Sequence, residues 1–171
     1  AWMHDCVVVA KNSPQRRMAS ALAAQSAERF LVEIEYPANW IAPVSHCVLA
    51  HSFSANVACE TIEAKVVQDS DRLEAVGAIG LARCLMTGGA MGQRLYHATE
   101  PFPLDRSPAD TEQSVDHFFT KLLGLHKTMQ TKSGREVAIS RTDFLIAFLK
   151  QLADEIGATP GALEAALKRI R

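Results

Sequence analysis

The sequence lacks the features that would assign it to several specialised classes of protein. Its four cysteines, Cys6, Cys47, Cys59 and Cys84, include no Cys-x-x-Cys pair, which favours buried, reduced thiols over a disulfide framework or a zinc knuckle. The 18 Lys and Arg residues face 19 Asp and Glu residues, for a formal net charge of -1. Because no strong positive field results, this balance disfavours nucleic acid and an acidic membrane surface as partners.

Long hydrophobic runs are also missing. No stretch approaches the roughly 20 apolar residues that cross a membrane. The sequence from Ala1 onward shows no charged segment followed by the apolar stretch typical of a secretory signal. We therefore expect no membrane association and a cytoplasmic location. With 171 residues, 48% of them hydrophobic, the chain can bury a core without metal staples, so a bound metal would serve chemistry.

What the chain does contain is helical periodicity. Apolar residues recur at spacings of three and four along most of its length, which predicts an all-α protein. Thr61 is expected to open a long helical stretch whose buried side runs from Ile62 and Val66 to Leu73, Val76 and Gly80. The other predicted helices span 13–35, 39–51, 111–123, 135–155 and 160–170, and a long polar loop is expected at 87–111.

Two acidic residues interrupt the apolar pattern of the stretch that begins at Thr61. Asp69 lies on its predicted buried side, and Asp71 lies on an adjacent stripe of small residues. An unpaired buried carboxylate is costly, so each of them needs a partner or a bound ion. Periodicity alone does not choose between them.

The neighbours His4 and Asp5 are a second candidate for chemistry. They stand in what we interpret as the last turns of a helix, and they offer one imidazole nitrogen and one carboxylate to a single ion. This mixed donor set suits Mn, Fe, Ni or Mg better than a structural zinc. Taken alone, the dipeptide fits equally a helix end where the histidine complements the dipole and the aspartate is solvated.

Taken together, these motifs resemble the HD superfamily of metal-dependent phosphohydrolases. The likeness rests on His4-Asp5, on the segment 50–54 and above all on the stretch 68–83, and it continues through 117–123 and 134–155. The most similar branch is a small bacterial one that includes nucleoside triphosphate pyrophosphohydrolases. The resemblance implies an HD-domain helical bundle, a single domain over 1–171 in which 157–171 forms an extra C-terminal helix.

The resemblance also implies a site for a divalent metal, either Mn, Fe, Ni or Mg. Its ligands would be His4, Asp5 and Asp71, and Asp5 or Asp69 would accept a proton during catalysis. The early helix that carries the first histidine of the family has no counterpart after Ala1. Two explanations stay open: the sequence lacks that stretch, or the protein is a shortened relative with an incomplete site.

The activity that the resemblance implies is hydrolysis of a phosphate ester or anhydride, with a nucleotide as the expected substrate. Lys11 and Arg83 are candidate phosphate contacts, although exposed basic side chains are commonly just solvated. His51 is a third candidate substrate residue. Its place on an apolar stripe fits a core histidine equally well, and His46 and His51 are the candidates to replace the ligand missing from the family pattern.

A second hypothesis is a helical binding or assembly module that keeps the HD scaffold without its catalysis. This hypothesis predicts no tightly bound metal. A DNA-binding protein is disfavoured because the chain has no basic recognition helix. A homodimer would let Leu163, Leu167 and Ile170 of the last helix pair with a second chain, whereas packing within one chain is the alternative.

Overall fold

The structure, a computed structural model, describes residues 1–9, 13–52 and 55–170. Within these ranges the chain forms seven α-helices and two 3₁₀ helices and no β-strand, so the predicted all-α class is confirmed. The α-helices are α1 (Ala19–Glu33), α2 (Ala38–Ala50), α3 (Ile62–Leu73), α4 (Gly77–Ala90), α5 (Asp116–Thr120), α6 (Lys132–Glu155) and α7 (Ala162–Arg169), and the 3₁₀ helices are Pro14–Met18 and Leu122–Thr128. None of the helices in this described part combines the length and apolar character that crossing a bilayer requires.

The chain divides into two compact units, Ala1–Asp71 and Arg72–Arg171, here called the first and the second unit. In the first unit α1 packs against α2. Their shared core consists of small residues, Ala23, Ala24, Ala27 and Val48, with Met3, Val7 and Leu49 packed against it. Alanines at helical spacing on α1 let α2 approach closely and create this narrow interface.

The ends of α1 differ from the sequence prediction. A helix was expected from Ser13, but a 3₁₀ helix comes first and the α-helix begins at Ala19. The helix ends in a Schellman motif, in which the N–H of Tyr36 donates to the carbonyl of Leu31 and Glu35 takes the left-handed conformation with φ 55°. The next helix begins at Ala38, one residue before the start predicted from the sequence.

The long helical stretch predicted from Thr61 is two helices. The hydroxyl of Thr61 accepts from the N–H of Ala64, as expected of a residue that opens a helix. The chain then leaves helical geometry after Leu73 and begins α4 at Gly77, whose φ is 74°. The predicted buried stripe is wrong at its start, because Ile62 and Val66 are exposed and α3 buries Ala64, Gln68 and Asp69 instead.

The second unit contains the large apolar core. Phe102, Phe118, Leu145 and Leu149 are almost completely buried in it. The long helix α6 packs against α4, the second 3₁₀ helix and α7. The helix predicted over 111–123 is instead the short α5 followed by the 3₁₀ helix Leu122–Thr128.

The polar loop of the second unit is held by charged contacts. Because α4 continues to Ala90, the loop starts later than predicted. The guanidinium of Arg106 donates to both carboxylate oxygens of the fully buried Asp116, at 2.5 and 2.6 Å. This bidentate pair raises the pKa of Arg106. Glu100 accepts the backbone N–H groups of Leu104 and Asp105 at 2.7 Å each, so the loop has a defined conformation.

Candidate metal centre

The side chains of His4, Asp5 and Asp71 converge within the first unit. The Nε2 atom of His4 lies 3.8 Å from Oδ2 of Asp5 and 3.8 Å from Oδ1 of Asp71. One donor atom from each of the three lies within 4.8 Å of the other two. The structure therefore brings together the three residues that the sequence resemblance indicated as ligands. Their role as ligands stays a prediction.

Two parts of the first unit supply these side chains. His4 and Asp5 stand in turns at the start of the chain, where the N–H of Cys6 donates to the carbonyl of Met3. Met3 packs against the alanine-rich core, and the thiol of Cys6 donates to the carbonyl of Ala23 at 3.4 Å. Asp71 comes from α3. The apolar core of the first unit thus holds the turn that presents His4 and Asp5.

The hydrogen bond of His4 fixes which of its nitrogens faces the carboxylates. Its Nδ1 atom lies 2.7 Å from the carbonyl oxygen of Ala1, which only accepts, so Nδ1 carries the hydrogen. In the neutral ring, Nε2 then presents a lone pair toward the carboxylates of Asp5 and Asp71. One imidazole nitrogen and two carboxylates that face one point form a group that could hold a cation.

The spacing of the donor atoms fits one divalent ion. Ligand atoms with bonds of about 2.1 Å lie about 3.0 Å apart at right angles around an ion and about 4.2 Å apart when opposite. The two 3.8 Å separations from Nε2 of His4 fall inside this range. One imidazole nitrogen and two carboxylates are a donor set that Mn, Fe, Ni and Mg accept. The residues present therefore fit the metal that the resemblance implies.

His51 lies beside this group. Its ring is buried, with 5% of the residue exposed, as predicted from its apolar stripe. Its Nδ1 atom lies 2.6 Å from the carbonyl oxygen of Val48, and its Nε2 atom lies 3.3 Å from Oδ1 of Asp5. The rings of His51 and His4 meet edge to face with centroids 5.0 Å apart. The buried position that the sequence allowed for this ring is confirmed, and a role for it in the site stays a prediction.

The two acids of α3 differ in exposure. Asp69 is buried, with 3% exposed, whereas the side chain of Asp71 is 35% exposed and belongs to the convergent group. Gln68, which connects α3 to the end of α2, was not singled out from the sequence. Its amide donates from Nε2 to the carbonyl of Ala50 at 2.7 Å. The signal was present, because Gln68 is a polar residue on the same helical face as Ala64 and Asp71.

The remaining candidates from the sequence are Lys11, Arg83 and His46. Lys11 lies outside the residues that the structure describes. Arg83 belongs to the second unit, where its guanidinium lies 3.3 Å from a carboxylate oxygen of Glu74. The Nε2 atom of His46 accepts the backbone N–H of Glu60 at 3.1 Å, so this ring anchors the segment before α3. A role for Lys11 or Arg83 toward phosphate stays a prediction.

Comparison with known proteins identifies the family. No family model matches the chain. YpgQ, an uncharacterised protein of Bacillus subtilis, is 42% identical over 96 residues, which are 56% of this chain and 41% of YpgQ. A crystal structure of B. subtilis YpgQ with selenomethionine superposes with a TM-score of 0.67 at 33% identity, over 94% of this chain and 75% of that one.

Two further solved structures carry chemical information in their descriptions. B. subtilis YpgQ in complex with ADP superposes with a TM-score of 0.62 at 34% identity, over 81% of this chain and 65% of that one. An HD-superfamily hydrolase from Bacillus thuringiensis superposes with a TM-score of 0.62 at 34% identity, over 80% of this chain and 63% of that one. The chain belongs to the HD superfamily and has its all-α fold. It spans less than two thirds of the length of the YpgQ chain in the ADP complex.

Proposed function

We propose that this protein is a metal-dependent phosphohydrolase that acts on a nucleotide. The observation that carries the proposal is the convergence of Nε2 of His4 with carboxylate oxygens of Asp5 and Asp71. Membership of the HD superfamily supports the class of reaction, since a similar structure is that of a hydrolase. The complex of YpgQ with ADP supports a nucleotide as the substrate class.

His4, Asp5 and Asp71 would hold the divalent metal. When bound, such an ion supplies a Lewis acid for a phosphoryl oxygen and lowers the pKa of a water molecule. The side chain of Asp5 is 69% exposed, so of the two candidate proton acceptors it is the one that solvent and substrate can reach. Asp69 is buried on α3 two residues before Asp71 and would support the position of the helix rather than accept the proton.

The bond cleaved is a phosphate ester or a phosphoanhydride, and the products decide between two activities. Release of inorganic phosphate indicates cleavage of the bond to the terminal phosphoryl group. Release of pyrophosphate from a triphosphate indicates cleavage of the bond between the α and β phosphoryl groups. Both outcomes belong to the proposed class.

The test combines metal content with turnover. The chain is loaded with Mn²⁺, desalted and submitted to elemental analysis, and phosphate and pyrophosphate release are then followed on a panel of nucleoside mono-, di- and triphosphates. We expect one Mn²⁺ per chain and turnover of at least one nucleotide class. His4→Ala and Asp71→Ala are expected to lose both. Asp154→Asn, an exposed acid of α6, and His46→Gln are matched controls that keep the metal.

The opposite result has a definite meaning. A chain that is folded by circular dichroism but binds no Mn²⁺ and releases no product contradicts the proposal. It would leave the second hypothesis, a helical binding or assembly module on the HD scaffold. Equal metal content in wild type and Asp71→Ala would instead reject the ligand set.

A further inference from the structure

The second unit contains a cavity of about 210 Å³ whose walls are mainly apolar. The 3₁₀ helix Leu122–Thr128, α6 and α7 form these walls. Leu123 and Leu167 are buried at its floor, whereas Ile139 is 44% exposed at its rim. An apolar cavity of about 150 Å³ holds a benzene ring, so this cavity has room for a ring that carries one or two further atoms.

Two of the residues that line the cavity have buried polar atoms without a protein partner. The hydroxyl of Thr142 and Nδ1 of His126 are buried, and neither has a hydrogen-bond partner among the residues that the structure describes. Thr142 as a whole is only 5% exposed. A threonine inside a helix can donate to a carbonyl of the preceding turn, but this one does not. Because an unpaired buried polar atom destabilises the fold, a molecule that supplies a partner to Thr142 gains a hydrogen bond there.

The charged residues of the cavity carry opposite signs. Lys127 and Asp143 both line it, and both are exposed. Nζ of Lys127 donates to the carbonyl of Ile170 at 2.8 Å, which connects the end of α7 to the 3₁₀ helix. One cation and one anion that solvent can reach give the cavity no net charge. Since burial of an unpaired charge against apolar walls is costly, these walls favour a neutral molecule over an ion.

We propose that this cavity is a binding site for a small neutral alcohol or phenol, whose apolar part lies against the leucines and isoleucines and whose hydroxyl bonds Thr142. In such sites apolar walls supply most of the affinity, and a few polar groups fix the orientation of the ligand. The site is independent of the proposed function. Every residue that lines it belongs to the second unit, whereas His4, Asp5 and Asp71 belong to the first.

The test uses p-cresol and p-xylene, two rings of nearly the same size that differ by a hydroxyl in place of a methyl group. Each probe is titrated into the full chain with isotope-labelled isoleucine methyl groups, and binding is followed by nuclear magnetic resonance. Ile139 and Ile146 line the cavity, so their methyl signals should shift. Ile41 and Ile62 belong to the first unit and serve as the internal reference.

We expect p-cresol to bind with a Kd of about 0.1–1 mM, an affinity ordinary for a ligand of this size. The Kd of p-xylene should be about 3–10-fold higher, because p-xylene cannot make the hydrogen bond. Thr142→Val keeps the volume of the side chain and removes its hydroxyl, so the two Kd values should become equal. Thr142→Ser, which retains a hydroxyl, and Thr159→Val, at an exposed threonine outside the cavity, should keep the preference for p-cresol.

Four results would overturn the inference. The first is no binding of p-cresol at the limit of its solubility. The second is a set of shifts at Ile41 and Ile62 as large as those in the cavity, which would show non-specific association. The third is equal affinity of the wild type for the two probes. The fourth is a preference for p-cresol that persists in Thr142→Val, which would place the hydroxyl of the ligand elsewhere.

Discussion

The two units of this protein differ in what fills their interiors. The core of the second unit contains phenylalanines and leucines, such as Phe118 and Leu145, while the core around Val48 in the first unit is built mainly from alanines. Each buried methylene contributes about 0.8 kcal/mol, so an alanine core stabilises its unit less. The first unit also buries His51, Gln68 and Asp69. The second unit buries polar residues as well, among them Asp116 and Thr142, so the two units differ in the size of their buried apolar side chains and not in the presence of buried polar groups.

The stability of the first unit can be measured separately because the tryptophans of the chain belong to it. Trp2 and Trp40, the two tryptophans of the chain, both belong to the first unit. Trp2 is fully exposed, so Trp40, which is 54% exposed on α2, is the tryptophan whose fluorescence can follow the first unit, whereas far-ultraviolet circular dichroism follows the helices of both units. Urea unfolding with the two signals separates effects on the two cores.

The largest expected effect is in the phenylalanine core. Phe118→Ala should lower the free energy of unfolding by about 3–5 kcal/mol, because it leaves a large cavity among fully buried neighbours. Val48→Ala is the matched change in the first unit, and the loss of two methyl groups should cost about 1.6 kcal/mol. Circular dichroism in urea measures both. Equal costs at the two positions would contradict the difference between the cores.

Metal binding should raise the stability of the first unit and bring it closer to that of the second. Mn²⁺ at one hundred times its Kd should stabilise the first unit by about 2.7 kcal/mol, since the ion binds only the folded site. The shift is expected in the tryptophan signal and should vanish in Asp71→Ala. The exposed control Asp154→Asn should retain it. A shift of the same size in Asp71→Ala would mean that Mn²⁺ acts elsewhere.

Glycine substitutions at the end of α1 should change the stability of the first unit in opposite directions. Glu35 has a φ of 55°, which costs a residue with a side chain about 1–2 kcal/mol more than glycine. Part of that gain is offset by the greater freedom of glycine in the unfolded chain. Glu35→Gly should therefore stabilise the unit by about 0.5–1 kcal/mol in tryptophan-detected urea unfolding. Glu33→Gly, inside the last turn of α1, should destabilise it by about 1 kcal/mol.

The smallest expected effect is a loss of folding stability at acidic pH. Hydrogen bonds from Thr120 and then His117 lower the pKa of Asp110. Burial acts to raise the pKa of Glu100, but backbone N–H groups of residues 104–106 outweigh it and lower the pKa. Carboxylates with lowered pKa values stabilise the folded state above their ordinary range, and this contribution is lost as the pH falls through the folded-state values. The second unit should therefore weaken below about pH 4.

The control for the acid effect uses the neutral amides. Glu100→Gln and Asp110→Asn should each flatten the dependence of the unfolding midpoint on pH between about 5 and 3. Glu136→Gln on α6, whose side chain is 65% exposed, should leave the slope unchanged. If the slope is the same in the wild type and the three variants, these two carboxylates do not cause the loss of stability in acid.

Local sequence signals predicted the helical class and several helix starts. Thr61 opens a helix as its hydroxyl chemistry indicates. The start of α6 was predicted three residues too late, because Thr131 caps it by accepting the N–H of Gly134. The pattern around Ile62 and Val66 was misleading because apolar spacing reports a face and not the neighbour that covers it. Gly77, in the left-handed conformation, divides the predicted stretch into two helices.

The candidate site was harder to predict from local sequence patterns than the helices were. Periodicity gave Asp69 and Asp71 as equals, and the choice of Asp71 came from the resemblance to the HD superfamily. The approach of His4 to Asp71 joins positions that are distant in the sequence, so no spacing rule predicts it. The division of the Asp5 carboxylate between His4 and His51 depends on side-chain geometry alone.

The most direct test of the metal centre is an anomalous diffraction measurement at the manganese edge on crystals grown with Mn²⁺. We predict one strong peak within about 2.2 Å of Nε2 of His4 and of carboxylate oxygens of Asp5 and Asp71. A peak on Asp69 or elsewhere, or no peak at saturating Mn²⁺, would contradict the proposed metal centre.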